Sequence, residues 1–211
     1  MKFWLECLGL AAIIALINYF PIPVPIIEQL LLPLTSFGLA LLLGLQFPDI
    51  DLYTPGLKHR SALTHSALLP WLLTLVNYPA VLAGLAMGMA IHILADVFPK
   101  AWVGGALVKM PFFGSLGKLS PFWLMLNCLI CFAMALNFTL NQDDWVKIGS
   151  LAMSITLMLW YMIRKERSLP PLLTALMIIG VLLWNHYSPD LSSLNLKALT
   201  AKASWNQDSS G

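Results

Sequence analysis

Charged residues are what this chain has least of: they make up 10% of its 211 residues, where a soluble globular domain carries about 25%. That scarcity excludes an ordinary water-soluble domain. The small charge is also balanced, 12 Lys and Arg against 10 Asp and Glu. A basic footprint for nucleic acid is therefore missing, and no nucleic-acid partner is expected. Cysteine is nearly absent too. Cys7, Cys128 and Cys131 all lie inside apolar runs, where a thiol packs like any small core residue; they form neither a disulfide framework nor a thiolate metal knuckle. Cys128 and Cys131, one helical turn apart, can meet.

What the chain has in excess is hydrophobic residues, 59% of the total. A membrane-crossing helix needs about 20 of them in succession, which leaves room for about seven. The expected fold is an all-α integral membrane protein, a polytopic bundle of about seven transmembrane helices. Residues 1–186 form its single membrane domain and residues 187–211, rich in Ser, Asn and Lys, a flexible tail. The apolar runs fall at 3–20, 26–47, 61–76, 80–98, 121–140, 146–163 and 169–186. The first ends in Asn18-Tyr19-Phe20-Pro21, without the small residues a signal peptidase needs, so it reads as a retained span. The third contains Pro70 and is either a short kinked span or a re-entrant segment. In the fourth, Gly84 and Gly88 have the spacing that lets two helices touch.

Alternate loops differ in basic residues. Seven spans put Lys2, Lys58, Arg60, Lys100, Lys109, Lys118, Arg164, Lys165 and Arg167 on one side and Lys147, Lys197 and Lys202 on the other. Cytoplasmic loops carry the excess, so the first side is expected to face the cytoplasm, as in a bacterial inner membrane.

Ionisable residues in or beside a membrane are costly and call for a reason. Here they cluster. Asp49, Asp51, His59 and His65 follow the second run in the polar stretch PDIDLYTPGLKHRSALTHS, and His92 and Asp96 close the fourth. Prolines 48 and 55 and Gly56 make that stretch read as irregular backbone, which must lie at the membrane surface or line a protein-walled cavity. His92 and Asp96, four apart, share one helix face. The second run ends, the third begins and the fourth ends on one membrane side, so all six residues belong to the cytoplasmic face. A mixed Asp and His set suits a catalytic divalent ion, zinc first and manganese or iron next. Six ligands suffice for two ions, which together can hold the attacking and leaving oxygens of a phosphoryl displacement.

The order PDID, HR, THS and a helix bearing His-x-x-x-Asp resembles the YdjM-like family of LexA-binding, inner-membrane-associated metal-dependent hydrolases. That family is distantly similar to zinc-dependent phospholipase C and the fungal single-strand nucleases. The resemblance covers residues 38–115. It implies metal-site roles for Asp49, Asp51, His65, His92 and Asp96, with His59 as a further ligand. Two departures stand out: Leu52 occupies a position where many members have His, and HRSALTHS is often one residue shorter in them.

The expected activity is hydrolysis of a phosphoester or phospholipid at the cytoplasmic membrane face, with membrane lipids or other small amphiphiles as partners. One of Asp49 and Asp51 would orient or deprotonate water. Arg60, suited to bidentate phosphate contacts, would offset phosphate charge, while Lys58 reads as a topological anchor. Thr64 and Ser66 read as caps at a helix start. Asp143, Asp144 and His186 fall on the opposite side and cannot join the site. Two other readings use the same residues: a cation or proton carrier, which needs polar groups continuing across the membrane, and a scaffold with a structural, fully coordinated metal.

Overall fold

The computed structural model describes residues 26–54, 57, 59–98, 107–110 and 114–188. The run at 3–20 and most of the tail lie outside the described residues. Among the described residues, six α-helical elements and one small antiparallel strand pair follow in order. The first, α1 (Ile27–Leu52), opens as a π turn, runs as α-helix over Leu32–Gln46 and ends as a 3-10 turn over Phe47–Leu52. The PDID stretch is thus helical rather than irregular: Pro48 stands in the first turn of the 3-10 segment, where proline's fixed φ suits a helix start. Next come α2 (Leu68–Leu73) and a 3-10 turn, Thr74–Val76. Asn77 ends them in the left-handed region at φ 49°, which its short polar side chain tolerates. Then follow α3 (Pro79–Val97), the antiparallel pair β1 (Lys109–Met110) and β2 (Gly114–Ser115), α4 (Ser120–Leu140), α5 (Asp144–Trp160) with a π turn to Lys165, and α6 (Pro170–Tyr187). Proline occupies the first turn of α3, α4 and α6, where its missing N–H breaks no helical bond.

Five helical segments are long and apolar enough to cross a membrane: Ile27–Leu52, Pro79–Val97, Gly117–Leu140, Asp144–Lys165 and Pro170–Tyr187. Six of the seven expected runs lie among the described residues, and five of them are such segments. The run at 61–76 is not a full helical span. Its first residues send their backbone N–H groups elsewhere: Ser61 to Asp51 Oδ2, Ala62 to the Lys109 carbonyl and Ala67 to Asn127 Oδ1. Only six residues of α-helix remain.

Contacts between α1 and α3 repeat every turn in the same direction on both helices. Gly84 lies against Phe37, Gly88 against Leu41, and His92 hydrogen-bonds the Leu45 carbonyl. A methyl group on either glycine would overlap backbone of α1, so the expected close approach is present and the two helices are parallel. Parallel neighbours need a return connection, and the segment through α2 provides it. Tyr78 and Pro79 end beside Leu32, Pro33 and Ser36, at the far end of α1. Helix α5 also runs parallel to α1, with Gly149 against Leu34 and Gly38 beside Met153. The C-terminal ends of α1, α3 and α5 therefore gather at one end of the bundle. Nearly every residue of α3 from Ala80 to Ala95 is buried, making it the centre of the core. Arg60, Lys109, Lys118, Arg164, Lys165 and Arg167 lie at the gathered end, and Lys147 at the other.

Candidate metal centre

All six residues singled out in the sequence meet at that gathered end. The 3-10 turn of α1 carries Asp49 and Asp51, the last turns of α3 carry His92 and Asp96, and the Ser61–His65 turn brings His65 between them. One donor atom from each of His65, His92 and Asp96 lies within 4.8 Å of the others. His65 Nε2 is 3.1 Å from Asp96 Oδ2, His92 Nε2 is 3.8 Å from the same oxygen, and Asp49 Oδ1 is 3.6 Å from His92 Nε2. Donors of a tetrahedral ion with bonds of ~2.0–2.1 Å stand roughly 3.4 Å apart, so these spacings match an ion held among them.

Hydrogen bonding decides which nitrogen of each imidazole is available. His92 Nδ1 lies 2.9 Å from the Leu45 carbonyl; a carbonyl only accepts, so Nδ1 carries a proton, and in the neutral imidazole Nε2 holds the lone pair. His65 Nδ1 lies 3.0 Å from Thr64 Oγ1 and 3.3 Å from the Ser61 carbonyl. Thr64 Oγ1 in turn donates to Asp51 Oδ2 at 3.0 Å, so it accepts from His65 Nδ1. Both imidazoles are thereby held with Nε2 toward Asp96, the usual arrangement of a metal-ligating histidine. His65 Nε2 is buried and makes no hydrogen bond, although Asp96 Oδ2 is near. Two lone pairs facing each other at 3.1 Å in a buried site repel unless a positive charge, a proton or a metal ion, lies between them.

The surroundings favour that charge. Each helix C-terminus carries roughly −0.5 of an elementary charge, and three such ends converge here. His65 is fully buried and His92 5% exposed, whereas the Asp49 side chain is 36% exposed. One side of the centre is therefore open.

Asp51 does something different from its neighbours. Its Oδ2 accepts the Ser61 N–H at 2.8 Å and the Thr64 hydroxyl, so Thr64 ties down the turn instead of capping a helix. Ser66 does serve the start of α2, accepting the Leu68 N–H. Asp51 Oδ1, buried and without a hydrogen-bond partner, lies 3.6 Å from His59 Nδ1. This pair forms the outer flank of the cluster. Arg60 sends Nε and Nη2 to Asp96 Oδ1, each at 3.3 Å, leaving Oδ2 for the centre. Its backbone is strained, at φ 62°, and is held there by Lys109: the Arg60 carbonyl accepts the Lys109 N–H, and Ala62 donates to the Lys109 carbonyl. Strain of this kind persists only where surrounding contacts enforce it.

Three contributors carried no signal in the sequence. Tyr161, at the π turn of α5, is buried, and its hydroxyl lies 3.5 Å from His92 Nδ1. Lys165 reaches that hydroxyl at 3.4 Å and lies over the Tyr161 ring. Asn127 of α4 accepts the Ala67 N–H and donates to the Trp123 carbonyl, anchoring the end of the His65 turn. The spacing of Tyr161 and Lys165 marks the end of α5, but nothing local ties them to His92, 69 residues earlier. Asp144 pairs with Lys147 at 2.9 Å, and His186 meets Tyr187 edge-on, both away from the centre. Cys128 and Cys131 are buried free thiols, and Cys128 Sγ donates to the Ala90 carbonyl. No family model matches the chain, and no curated protein or solved structure matches it.

Proposed function

We propose that this protein is a metal-dependent hydrolase of the bacterial inner membrane, acting on a phosphoester of a lipid or other amphiphile at the cytoplasmic face. The observation that carries this reading is the buried, unpaired Nε2 of His65 facing Asp96 Oδ2 beside His92 Nε2. A divalent ion held there, zinc in the first instance, would polarise a phosphoryl oxygen and acidify water. The chain's own residues supply the rest. Asp96, its other oxygen bonded by Arg60, and the two histidines hold the site, and Asp49 on the open side orients or deprotonates water. Arg60 offsets phosphate charge with the guanidinium N–H groups that Asp96 does not engage. A second ion would draw on Asp51 Oδ1 and His59 Nδ1.

The cytoplasmic orientation is supported by six basic residues at the centre's end against one at the other among the described residues. The resemblance of PDID, HR, THS and His-x-x-x-Asp to the YdjM-like hydrolases points the same way. A carrier would need ionisable groups leading away from the site, but among the described residues the buried acidic and imidazole side chains are Asp51, His65 and His92, all at this end. The open side at Asp49 separates the proposal from a structural, saturated metal.

The test is metal analysis and hydrolysis of a panel of phosphomonoesters, phosphodiesters and phospholipids by detergent-purified protein, wild type and His92→Ala. Bound zinc or manganese with turnover in the wild type alone supports the reading. Equal metal content in both proteins removes the centre. Turnover of amides or glycosides instead of phosphoesters removes the reaction class.

A further inference from the structure

A groove about 510 Å³ in volume runs along the outer face of α1 and reaches the candidate centre through Asp49. Its walls are Leu43, Gln46, Phe47 and Ile50 from α1, Tyr53 just after it and Leu85 from α3, and the ionisable residue in its lining is Asp49. The α1 positions recur at three- and four-residue spacing, one face of a helix, and from Leu43 to Tyr53 they span about 15 Å. Leu43 is 64% exposed and Ile50 44%. On a membrane-crossing helix such faces meet hydrocarbon. Polarity along the groove is uneven: Leu43, Phe47, Ile50 and Leu85 present carbon, and Asp49 presents a carboxylate whose Oδ1 stands 3.6 Å from His92 Nε2.

We infer that this groove seats the hydrocarbon tail of a single amphiphile whose phosphate head lies at the His65, His92 and Asp96 centre. The inference rests on the hydrolase reading above and adds to it the tail site and the residues that set chain-length preference. Asp49 belongs to both parts, so tail and head are placed by one continuous surface. The groove opens sideways between α1 and α3, so the ligand enters from the bilayer without leaving it. A water-soluble phosphoester would use only the Asp49 end.

The experiment uses full-length protein in nanodiscs, loaded with cobalt(II), whose visible spectrum reports on its ligands. Inorganic phosphate and then methyl, butyl, octyl and dodecyl phosphate are titrated against wild type, Leu43→Trp and Ile50→Trp. Both replaced side chains face outward, so the variants fill the groove without touching the core. In wild type, each added methylene tightens binding about twofold, which corresponds to half the burial of a methylene in a closed core. In the two variants that gain flattens, while inorganic phosphate binds as in wild type. A chain-length gain of the same size in all three proteins means that the tail rests in the bilayer alone; it overturns the groove and leaves the hydrolase reading standing. Absence of any cobalt spectrum, or of any response to inorganic phosphate, overturns the centre itself, and the groove falls with it. Melting temperatures of the three apoproteins, expected to agree, exclude misfolding as the cause of a flat response.

Discussion

Helices α3 and α6 are similar on paper and opposite in situation. They have 19 and 18 residues, begin with proline, are strongly apolar, and each carries one histidine near its C-terminal end. Yet 83% of the apolar window of α3 is buried inside the protein against 22% for α6. The difference comes from small residues. Ala80, Ala83, Gly84, Ala86, Gly88 and Ala90 let neighbours approach α3 from several sides, whereas Gly180 of α6 meets nothing within 4 Å. A histidine at the end of α3 has protein around it to set its tautomer and supply partners. Among the described residues, His186, exposed at the end of α6, has Tyr187 edge-on beside it. Burial among small residues, more than apolarity, separates a helix that can hold a reactive site from one that faces lipid.

Four measurements can break that comparison. The largest effect is expected from His92→Ala or Asp96→Ala, which remove donors from the centre. Metal affinity should fall by more than the ~10–100-fold that loss of an outer hydrogen-bond partner costs, while His186→Ala leaves the metal content of purified protein unchanged. Metal loss in the His186 variant would mean that the two helices are not functionally distinct. Next comes packing: Gly84→Leu and Gly88→Leu force α1 and α3 apart and should destabilise the fold by about 3 kcal/mol, the upper part of the range for overpacking. Gly180→Leu should change stability by no more than about 0.5 kcal/mol. Unfolding of each variant in mixed detergent and sodium dodecyl sulfate measures both, and equal midpoints would contradict the parallel contact.

Asn127→Ala leaves the Ala67 N–H buried without its acceptor, a cost of about 1–3 kcal/mol. It should also loosen the His65 turn, read as faster amide exchange over residues 61–67 with the α6 amides unaffected. The smallest effect is expected from Tyr161→Phe. The hydroxyl stands at 3.5 Å from His92 Nδ1, which already bonds the Leu45 carbonyl at 2.9 Å; a weak second contact adds little. Isothermal titration with zinc should show no more than about a threefold change, well below the loss of an outer partner, and a hundredfold loss would promote Tyr161 to a principal support of the centre.

Part of this site was legible without coordinates. His92 and Asp96 share a face because the helical period is a local property, and the polar stretch from Pro48 to Ser66 stands out against apolar runs on both sides. That all six residues meet at one end followed from run order alone. Other features were not legible. The PDID stretch continues α1 because Pro48 falls where a helical turn accepts it, and proline by itself signals a break as readily as a start. The run at 61–76 looked long enough for a short span, but its amides are taken by Asp51, Lys109 and Asn127, partners 10, 47 and 60 residues away. Arg60 looked free to meet phosphate, and its pairing with Asp96 depends on a left-handed backbone that nothing in the sequence announces.

The amino-acid order by itself determined the membrane-like composition, the principal helical runs and the choice of residues able to bind a metal, since hydropathy and helical period are properties of neighbours along the chain. Tertiary structure alone decided the orientation of the imidazoles, the division of labour between Asp96 and Asp51, and the arrival of Tyr161 and Lys165. Each of these depends on a partner from another turn or helix: the parallel packing of α1 and α3 across Gly84 and Gly88 brings Leu45 to His92, the packing of α5 on α1 brings Tyr161 and Lys165, and Lys109 holds the Arg60 turn.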